Sequence, residues 1–131
     1  MFFTRAQEIA FAALPLLDPR GPQGKGRGVV AIAQAAGVPA PFLSKVLGRL
    51  ADRGLLRSKR GRSGGFVLGR PASDITLADI ALALEKRDDL ERAFPPVAGP
   101  VGAVLAPVRK DFLERLRLTA LSNLAGPAPR A

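Results

Sequence analysis

The pattern of apolar and polar residues predicts three helices in the first half of the chain. Apolar residues recur at helical spacing over residues 4–17, 29–36 and 41–53. The third segment has apolar residues at positions i, i+3, i+4 and i+7, and these are Leu43, Val46, Leu47 and Leu50. Because proline lacks an amide hydrogen, the first helix should kink or stop near Ala12, or hold Pro15 in a distorted last turn.

A turn joins the second and third helices, and a basic hairpin follows the third. Gly37 and Gly54 are expected to end these two helices, since glycine adopts the left-handed conformation freely. Residues 55–70 predict a β-hairpin, because two short apolar runs flank a loop of Lys, Arg, Ser and Gly with no acidic residue. A helix followed by a basic hairpin is the outline of a winged helix-turn-helix, a shape that fits a DNA duplex.

The second half of the chain predicts two or three further helices. Thr76 and Asp79 have the spacing of a capping box, and the helix that they start should run to about Lys86. Proline and glycine break residues 88–102, which are predicted to be irregular. The next helix should begin before Pro107 or hold Pro107 in its first turn. A short final helix is indicated by Leu118, Leu121 and Leu124.

The predicted fold is therefore mainly α, with a small β-hairpin. Residues 1–86 form a winged helix-turn-helix domain, 87–102 an irregular loop, 103–125 a dimerisation helix with a short terminal helix, and 126–131 a tail. The helix after the loop could pack on its own domain, but an apolar helix outside a closed core more often packs on a partner chain. The residues expected in this dimer interface are Val104, Leu105, Val108, Phe112, Leu113 and Leu116.

Positive charge is concentrated in the first half. The first 75 residues hold 12 Lys/Arg and 4 Asp/Glu, and the rest hold 8 and 7, which together give the net charge of +9. Such a distribution is typical of a protein that binds a polyanion such as double-stranded DNA. The nearly neutral second half suits self-association.

The composition excludes several kinds of site. The chain has no Cys and no His, so it has no disulfides, no zinc knuckle and none of the commonest general base. The remaining Asp, Glu, Lys and Ser show no catalytic arrangement, so neither an enzyme nor a cofactor is expected. No apolar run is long enough to span a bilayer, and Glu8 lies where a signal peptide needs apolar residues, so the expected compartment is the cytoplasm.

The glycine-rich basic loop at residues 18–28 has two interpretations. It could be a solvated linker, or Lys25 and Arg27 could contact phosphate. Its glycines lack the spacing of a nucleotide-binding P-loop, in which four residues separate two glycines and Lys and Ser/Thr follow.

Several segments resemble the Rrf-two family of bacterial winged-helix regulators, the group of IscR, NsrR and CymR. They are TRAQEIAFAAL, VVAIAQAAGVPAPFLSKVLGRLADRGLLRSKRGRSGGFVLGRP, ITLADIALALE and LRLTALSNL. The block GLLRSKRGRSGGFVL is the most specific of these, because it joins the recognition helix to a glycine-rich wing in the register of the family.

The resemblance implies a homodimeric, sequence-specific transcription factor, a repressor on our interpretation, that binds an inverted-repeat operator. In this family the third helix enters the major groove, and the corresponding positions here are Ala40, Pro41, Phe42, Ser44 and Lys45. The wing lies over the minor groove, and its positions are Lys59, Arg60, Gly61, Arg62, Ser63 and Gly64. Arg57 adds a fourth cation to the wing, and Arg49 either contacts phosphate or is simply solvated.

Two departures from the family affect this expectation. Many members hold an iron–sulfur cluster with three cysteines, but the equivalent residues 88–102 include none. Glu8 aligns with a carboxylate ligand of some relatives, yet one carboxylate cannot hold a cluster, so no cluster is expected. The recognition helix also has Pro39 and Pro41 where relatives often have Ser, so the base contacts need not transfer.

The regulatory input and the specificity stay open in the sequence. The input could be a small apolar effector, a partner protein or none, and Phe94, Pro95, Pro96 and Val97 could line a pocket or simply pack the loop. The alternative function is an architectural or protein-interaction module that binds DNA without sequence preference. Equal affinity for random and operator DNA would favour that alternative.

Overall fold

The computed structural model describes residues 2–61 and 64–124, and its elements match the predicted fold class. The helices are α1 (Arg5–Ala13), α2 (Val29–Ala36), α3 (Ala40–Asp52), α4 (Leu77–Ala83), α5 (Leu90–Ala93) and α6 (Gly99–Leu118). Strands β1 (Leu56–Lys59) and β2 (Gly65–Leu68) form the antiparallel hairpin. The protein is thus mainly α with one small hairpin, as the sequence predicts.

Local sequence signals explain where α1 begins and ends. The Thr4 side chain accepts a hydrogen bond from the Gln7 amide at 3.1 Å, and the Gln7 side chain accepts one from the Thr4 amide at 2.9 Å. This reciprocal capping box satisfies two amides that a helix start leaves unpaired. After Ala13 the chain continues as a 3₁₀ turn, Leu14–Leu16, which holds Pro15 as its second residue.

The helix-turn-helix forms at the predicted residues. Gly37 ends α2 with a φ of 70°, and its amide donates to the Ala33 carbonyl. The axes of α2 and α3 then differ by 112°, which lies in the range of helix-turn-helix motifs. The predicted apolar stripe of α3 is buried in the main core against α1 and α2. The exposed face of α3 is therefore fixed by packing on its opposite side.

A second apolar cluster joins α4, α5 and α6. It includes Ala81, Leu90 and Leu113, and beside it lie the rings of Phe3, Phe11, Phe94 and Phe112, whose neighbouring centroids are 4.7–5.7 Å apart. Edge-to-face and tilted pairs at this spacing are favourable. The amino-terminal end of the chain is thereby packed against α6.

The structure differs from the prediction in the second half. The helix predicted to reach Lys86 ends at Ala83. The segment 88–102, predicted to be irregular, contains α5, where Asp89 accepts a hydrogen bond from the Arg92 amide, and also the start of α6. Pro100 occupies the first turn of α6, where a missing amide hydrogen does no harm. The predicted boundary between residues 102 and 103 therefore falls inside this helix.

The end of α6 also differs from the prediction. Pro107 lies inside the helix, on its exposed side, and Leu118 is its last residue. The predicted final helix is a 3₁₀ turn, Leu121–Leu124, and residues 125–131, which include the predicted tail, lie outside the described residues.

Backbone hydrogen bonds tie this end of the chain to the winged-helix core. The Leu77 amide donates to the Thr119 carbonyl at 2.9 Å, and the Leu121 amide donates to the Ile75 carbonyl at 2.8 Å. Leu121 is buried in the main core. The carboxyl-terminal end of α6 is thus part of the same body as the helix-turn-helix.

Candidate nucleic-acid interface

Helix α3 presents a continuous polar face. With its apolar stripe buried, the side chains that remain exposed include Pro41, Phe42, Ser44, Lys45 and Arg49. Phe42 is 59% exposed, an unusual position for a large aromatic ring. Gly48 lies on the same face and leaves it without bulk at that point. Five of the six predicted contact positions of α3 therefore share one accessible surface, whereas Ala40 is half-buried and packs against the core.

The start of α3 is built by prolines instead of a hydroxyl cap. Pro39 is the N-cap residue with extended backbone angles, and Pro41 follows in the first turn. No side chain among the described residues caps this end of the helix. The remaining amides of the first turn carry the positive end of the helix dipole.

The hairpin forms a wing whose tip carries exposed cations. Arg57 and Arg60 are exposed, and Gly61 takes a φ of 100° at the tip, a conformation that side chains rarely adopt. The Gly64 amide closes the tip by donating to the Gly61 carbonyl at 2.9 Å. Arg62 and Ser63, two of the predicted contact residues, lie outside the described residues.

Two of the predicted contact residues have partners within the chain. The Lys59 ammonium donates to the Gly24 carbonyl at 2.8 Å, and Lys59 is half-buried. The Arg49 guanidinium donates to the Leu84 carbonyl at 3.1 Å, so this arginine joins α3 to the end of α4. Lys59 is thus a brace of the wing, and Arg49 stays exposed beside its partner.

The basic loop at residues 18–28 is part of the wing's framework. Arg27 pairs with Phe66 of β2 through two backbone hydrogen bonds of 3.0 and 2.8 Å, and its guanidinium donates to the Leu16 carbonyl at 3.1 Å. Gly65, with a φ of 113°, makes this approach possible, because a Cβ there would overlap the Arg27 carbonyl. Of the two predicted phosphate contacts in this loop, Arg27 is used internally and Lys25 is exposed.

Asp18 organises this loop, and sequence analysis did not single it out. Its carboxylate accepts hydrogen bonds from the Arg20 side chain at 2.7 Å, the Arg20 amide at 3.0 Å and the Lys25 amide at 3.0 Å. The side-chain hydrogen bond from Arg20, then the two amides, hold the pKa of Asp18 well below its usual range. The sequence signal that could have indicated this role is an acidic residue at the start of an otherwise basic loop.

The predicted dimer face of α6 is divided between exposed and buried residues. Val104 and Val108 are 75% and 54% exposed, and Val101 extends the same apolar stripe. Leu113 and Leu116 are only 2% and 4% exposed, because they pack in the cluster with α4 inside the same chain. Those two leucines are not available to a partner chain in this conformation. Leu105 and Phe112 are half-buried.

The segment between α5 and α6 encloses a small cavity of about 80 Å³. Pro95, Pro96 and Val97 line it, as one of the sequence alternatives has it, but Phe94 is buried in the aromatic cluster instead. Leu105 and Arg109 complete the wall. The Arg109 guanidinium donates to the Phe94 carbonyl at 2.8 Å and to the Glu91 carboxylate at 2.7 Å.

Glu91 forms ion pairs with two arginines of α6. Hydrogen bonds from Arg109 first, and then from Arg117, lower the pKa of Glu91 below its ordinary value. Within residues 2–61 and 64–124 no group of three or more Asp or Glu side chains is placed to hold a metal ion. Glu91 thus forms ion pairs, and the neighbouring Asp89 caps α5.

Within the described residues, no single helix has the length and hydropathy to cross a membrane; α2 and α3 reach them only when taken together, and the two helices are bent by 112°.

The exposed face of α3, the turn before it and the basic wing beside it define a winged helix-turn-helix protein. Comparison with known proteins identifies its family. The profile of the Rrf2 family, iron-dependent transcriptional regulators, matches residues 3–126. The chain belongs to the Rrf2 family, as the sequence resemblance predicts.

Individual relatives agree with this assignment. The chain is 34% identical over 104 residues to Rv1287 of Mycobacterium tuberculosis, covering 74% of this chain and 65% of that protein. It is 38% identical over 117 residues to YffB of Lactococcus lactis, covering 84% and 75%. Both carry names of candidate HTH-type transcriptional regulators and not of enzymes, and the chain spans 65% of the first relative's length.

A solved structure confirms the fold. CymR of Bacillus subtilis, described as its global cysteine regulator, superimposes with a TM-score of 0.77 at 24% identity, covering 95% of this chain and 96% of CymR.

The iron of the family's description does not fit this chain. A cluster site needs thiolates or imidazoles, and the 131 residues include no Cys and no His. The segment between α5 and α6 offers prolines and Val97, and Arg109 of α6 beside it is already paired with Glu91. Glu8 is an exposed side chain in the first turn of α1.

Proposed function

We propose that this protein represses transcription by binding, as a homodimer and without an iron–sulfur cluster, to an inverted-repeat DNA operator. The observation that carries the proposal is the accessible face of α3 lying next to a wing with exposed arginines. Helix faces of this kind read base edges in the major groove, while neighbouring cations neutralise phosphates. A DNA-binding regulator of this kind is expected to act in the cytoplasm.

Helix α3 supplies the proposed base contacts. Lys45 can donate to the acceptors of guanine, and Ser44 can donate or accept at several bases. Pro41 and Phe42 add apolar surface that suits the methyl group of thymine. Arg49, exposed beside its contact with Leu84, is left for phosphate.

The wing supplies the proposed minor-groove contacts. Arg57 and Arg60 are exposed on it, and Arg62, Ser63 and Gly64 continue the tip in sequence. A narrow minor groove has an enhanced negative potential that attracts arginine. The intramolecular bond of Lys59 supports a bracing role for this residue in place of a direct contact.

The exposed half of α6 supplies the proposed dimer interface. Val101, Val104 and Val108 form an apolar stripe at spacing i, i+3 and i+7, with Leu105 at its border. A stripe of this kind on a protein surface commonly marks an interaction site. Two modules related by a twofold axis would then read the two halves of an inverted repeat. A small effector or a partner protein is left as the regulatory input.

Selection of bound fragments from genomic DNA tests this function. We expect the purified chain to enrich fragments that share a dyad-symmetric sequence near promoters, and a reporter behind such a promoter to fall when the protein is present. Arg57→Ala with Arg60→Ala should abolish the enrichment, whereas Arg87→Ala with Arg92→Ala, an equal loss of charge from the second half, should not. Recovery of fragments without a common sequence would favour the architectural alternative, and a rise of the reporter would indicate activation.

A further inference from the structure

The loop at residues 18–28 lies against the tip end of the wing. Lys59 is the last residue of β1, its strand partner is Gly65, and its ammonium reaches past that glycine to the Gly24 carbonyl at 2.8 Å. Arg27 pairs with Phe66, the second residue of β2. The loop therefore runs beside the hairpin at the end that carries Arg60.

The conformation of the loop is fixed by the Asp18 carboxylate. It accepts hydrogen bonds from three groups, the Arg20 side chain and the amides of Arg20 and Lys25, and these bonds hold the turn. Gly24 packs directly on the Asp18 side chain, where a Cβ would find no room. The Lys25 ammonium is left exposed, one residue from the carbonyl that Lys59 holds.

We propose that this loop, held by Asp18, Lys59 and Arg27, is a separate phosphate-binding element that places Lys25 against the DNA backbone beside the wing. Asp18 is then a positioning residue, although it is an acid within a surface that binds a polyanion. The partner is a phosphodiester and not a base, because the loop lies beside the wing and is not part of α3, the helix proposed to read bases. This inference rests on the proposed DNA binding and extends its footprint.

Lys25→Ala tests the contact itself. The probes are two duplexes of equal length, one carrying the fragment that the wild type selects and one with the same bases scrambled. Loss of one phosphate contact should weaken binding to both duplexes by the same factor, and should reduce the slope of log affinity against log salt by about one per protomer. Lys86→Ala, which removes an exposed lysine of the second half, should leave both quantities unchanged.

Asp18→Ala tests the positioning role, because two explanations predict opposite signs. Removal of an acid near DNA, taken as charge alone, should tighten binding. If Asp18 holds the loop in place, binding should weaken despite the extra positive charge, and Asp18→Asn, which keeps an acceptor for one amide, should lie between Asp18→Ala and the wild type. Thermal unfolding of each variant without DNA separates a local effect from loss of the fold.

The outcomes separate this inference from the proposed function. If the wild type binds neither duplex, the proposed function and this inference are both overturned. If Arg60→Ala weakens binding and lowers the salt slope but Lys25→Ala changes neither, the loop does not touch phosphate and only this inference is overturned. Tighter binding by a folded Asp18→Ala variant would also overturn it.

Discussion

Gln7 is the fully buried polar side chain in the core of the described residues, and its hydrogen bonds show why it is there. Its oxygen accepts from the Thr4 amide in the capping box, and its nitrogen donates to the Ala81 carbonyl of α4 at 3.0 Å. One residue thus caps α1 and joins it to α4. A buried polar group is costly unless it is paired, so both partners depend on it.

Gln7→Leu should destabilise the protein by about 1–3 kcal/mol, because the Thr4 amide would lose its acceptor and the Ala81 carbonyl would keep only the 3.3 Å bond from the Leu84 amide. Urea unfolding followed by circular dichroism measures this change. Glu8→Gln, at the exposed neighbouring position, is the matched control and should have little effect. A Gln7→Leu variant as stable as the wild type would mean that water replaces the amide.

Arg60→Ala should weaken DNA binding and lower the salt slope by about one per protomer, because a cation at the phosphate or in the minor groove is lost. Titration of a labelled duplex at several salt concentrations gives both quantities. Arg87→Ala removes an equal charge far from the wing in sequence and should leave the slope unchanged. Affinity of Arg60→Ala equal to that of the wild type would remove the wing from the interface.

Asp18 should make the stability of the protein depend on pH in the acid range. Its folded-state pKa is depressed below the ordinary value of 3.8, so its contribution is fully present above that value and is lost as the pH falls below it. The stability gap between wild type and Asp18→Asn should therefore be constant near neutral pH and narrow below pH 3.8. Chemical unfolding at a series of pH values checks this, and a gap that widens in acid would contradict the assignment.

At the scale of elements, local patterns were sufficient for some parts of the fold. Gly37 ended α2 as predicted, because a left-handed glycine after a helical stripe is a local signal. The capping box at Thr76 and Asp79 also formed, with bonds of 2.9 and 3.1 Å. Helix α6 was harder, since its apolar residues have the same spacing whether they pack inside or outside. Only tertiary structure sends Leu116 into the core and leaves Val104 exposed.

The candidate site was likewise only partly predictable from the sequence. The polar face of α3 follows from the buried stripe opposite it, and Arg60 follows from its place in the hairpin. The bond from Lys59 to Gly24 joins residues that are 35 positions apart, and no sequence pattern announces it. The sequence predicts that Lys59, near a basic tip, contacts DNA, and it does not predict the intramolecular bond by which Lys59 braces the wing.

Val104→Asp together with Val108→Asp should convert the proposed dimer into a folded monomer, because the two charges would enter an apolar interface. Multi-angle light scattering measures the mass, and circular dichroism checks the fold. Lys110→Asp, at an exposed polar position of the same helix, controls for added negative charge. A dimer that persists in the double variant would place the interface elsewhere.

At the scale of the whole molecule, the absence of Cys and His in the sequence separates this chain from the iron chemistry for which its family is described. The winged-helix framework is kept, and an ion pair between Glu91 of α5 and Arg109 of α6 joins these two helices.

DNA binding by the purified protein should be insensitive to iron and to redox conditions. Addition of a strong chelator, ferrous iron, dithionite or peroxide should leave the affinity for a selected duplex unchanged, because neither thiolates nor imidazoles are available as ligands. Anisotropy titrations under each condition provide the measurement. A relative that carries the three cysteines, treated in parallel, is the positive control, and a chelator-dependent affinity of this chain would show that carboxylates suffice.

The backbone hydrogen bonds that join Leu77 to Thr119 and Ile75 to Leu121 tie the carboxyl-terminal end of α6 directly to the winged-helix core, without a free linker. In the proposed dimer each α6 is fixed to its own winged-helix domain at the carboxyl-terminal end, and the two α6 helices meet through their amino-terminal halves. The length and crossing angle of these helices then set the distance between the two winged-helix domains. An operator whose halves are separated by an extra half turn of duplex would present its second half on the wrong side of the DNA, and the described residues that join the carboxyl-terminal end of α6 to the winged-helix core include no linker that could compensate.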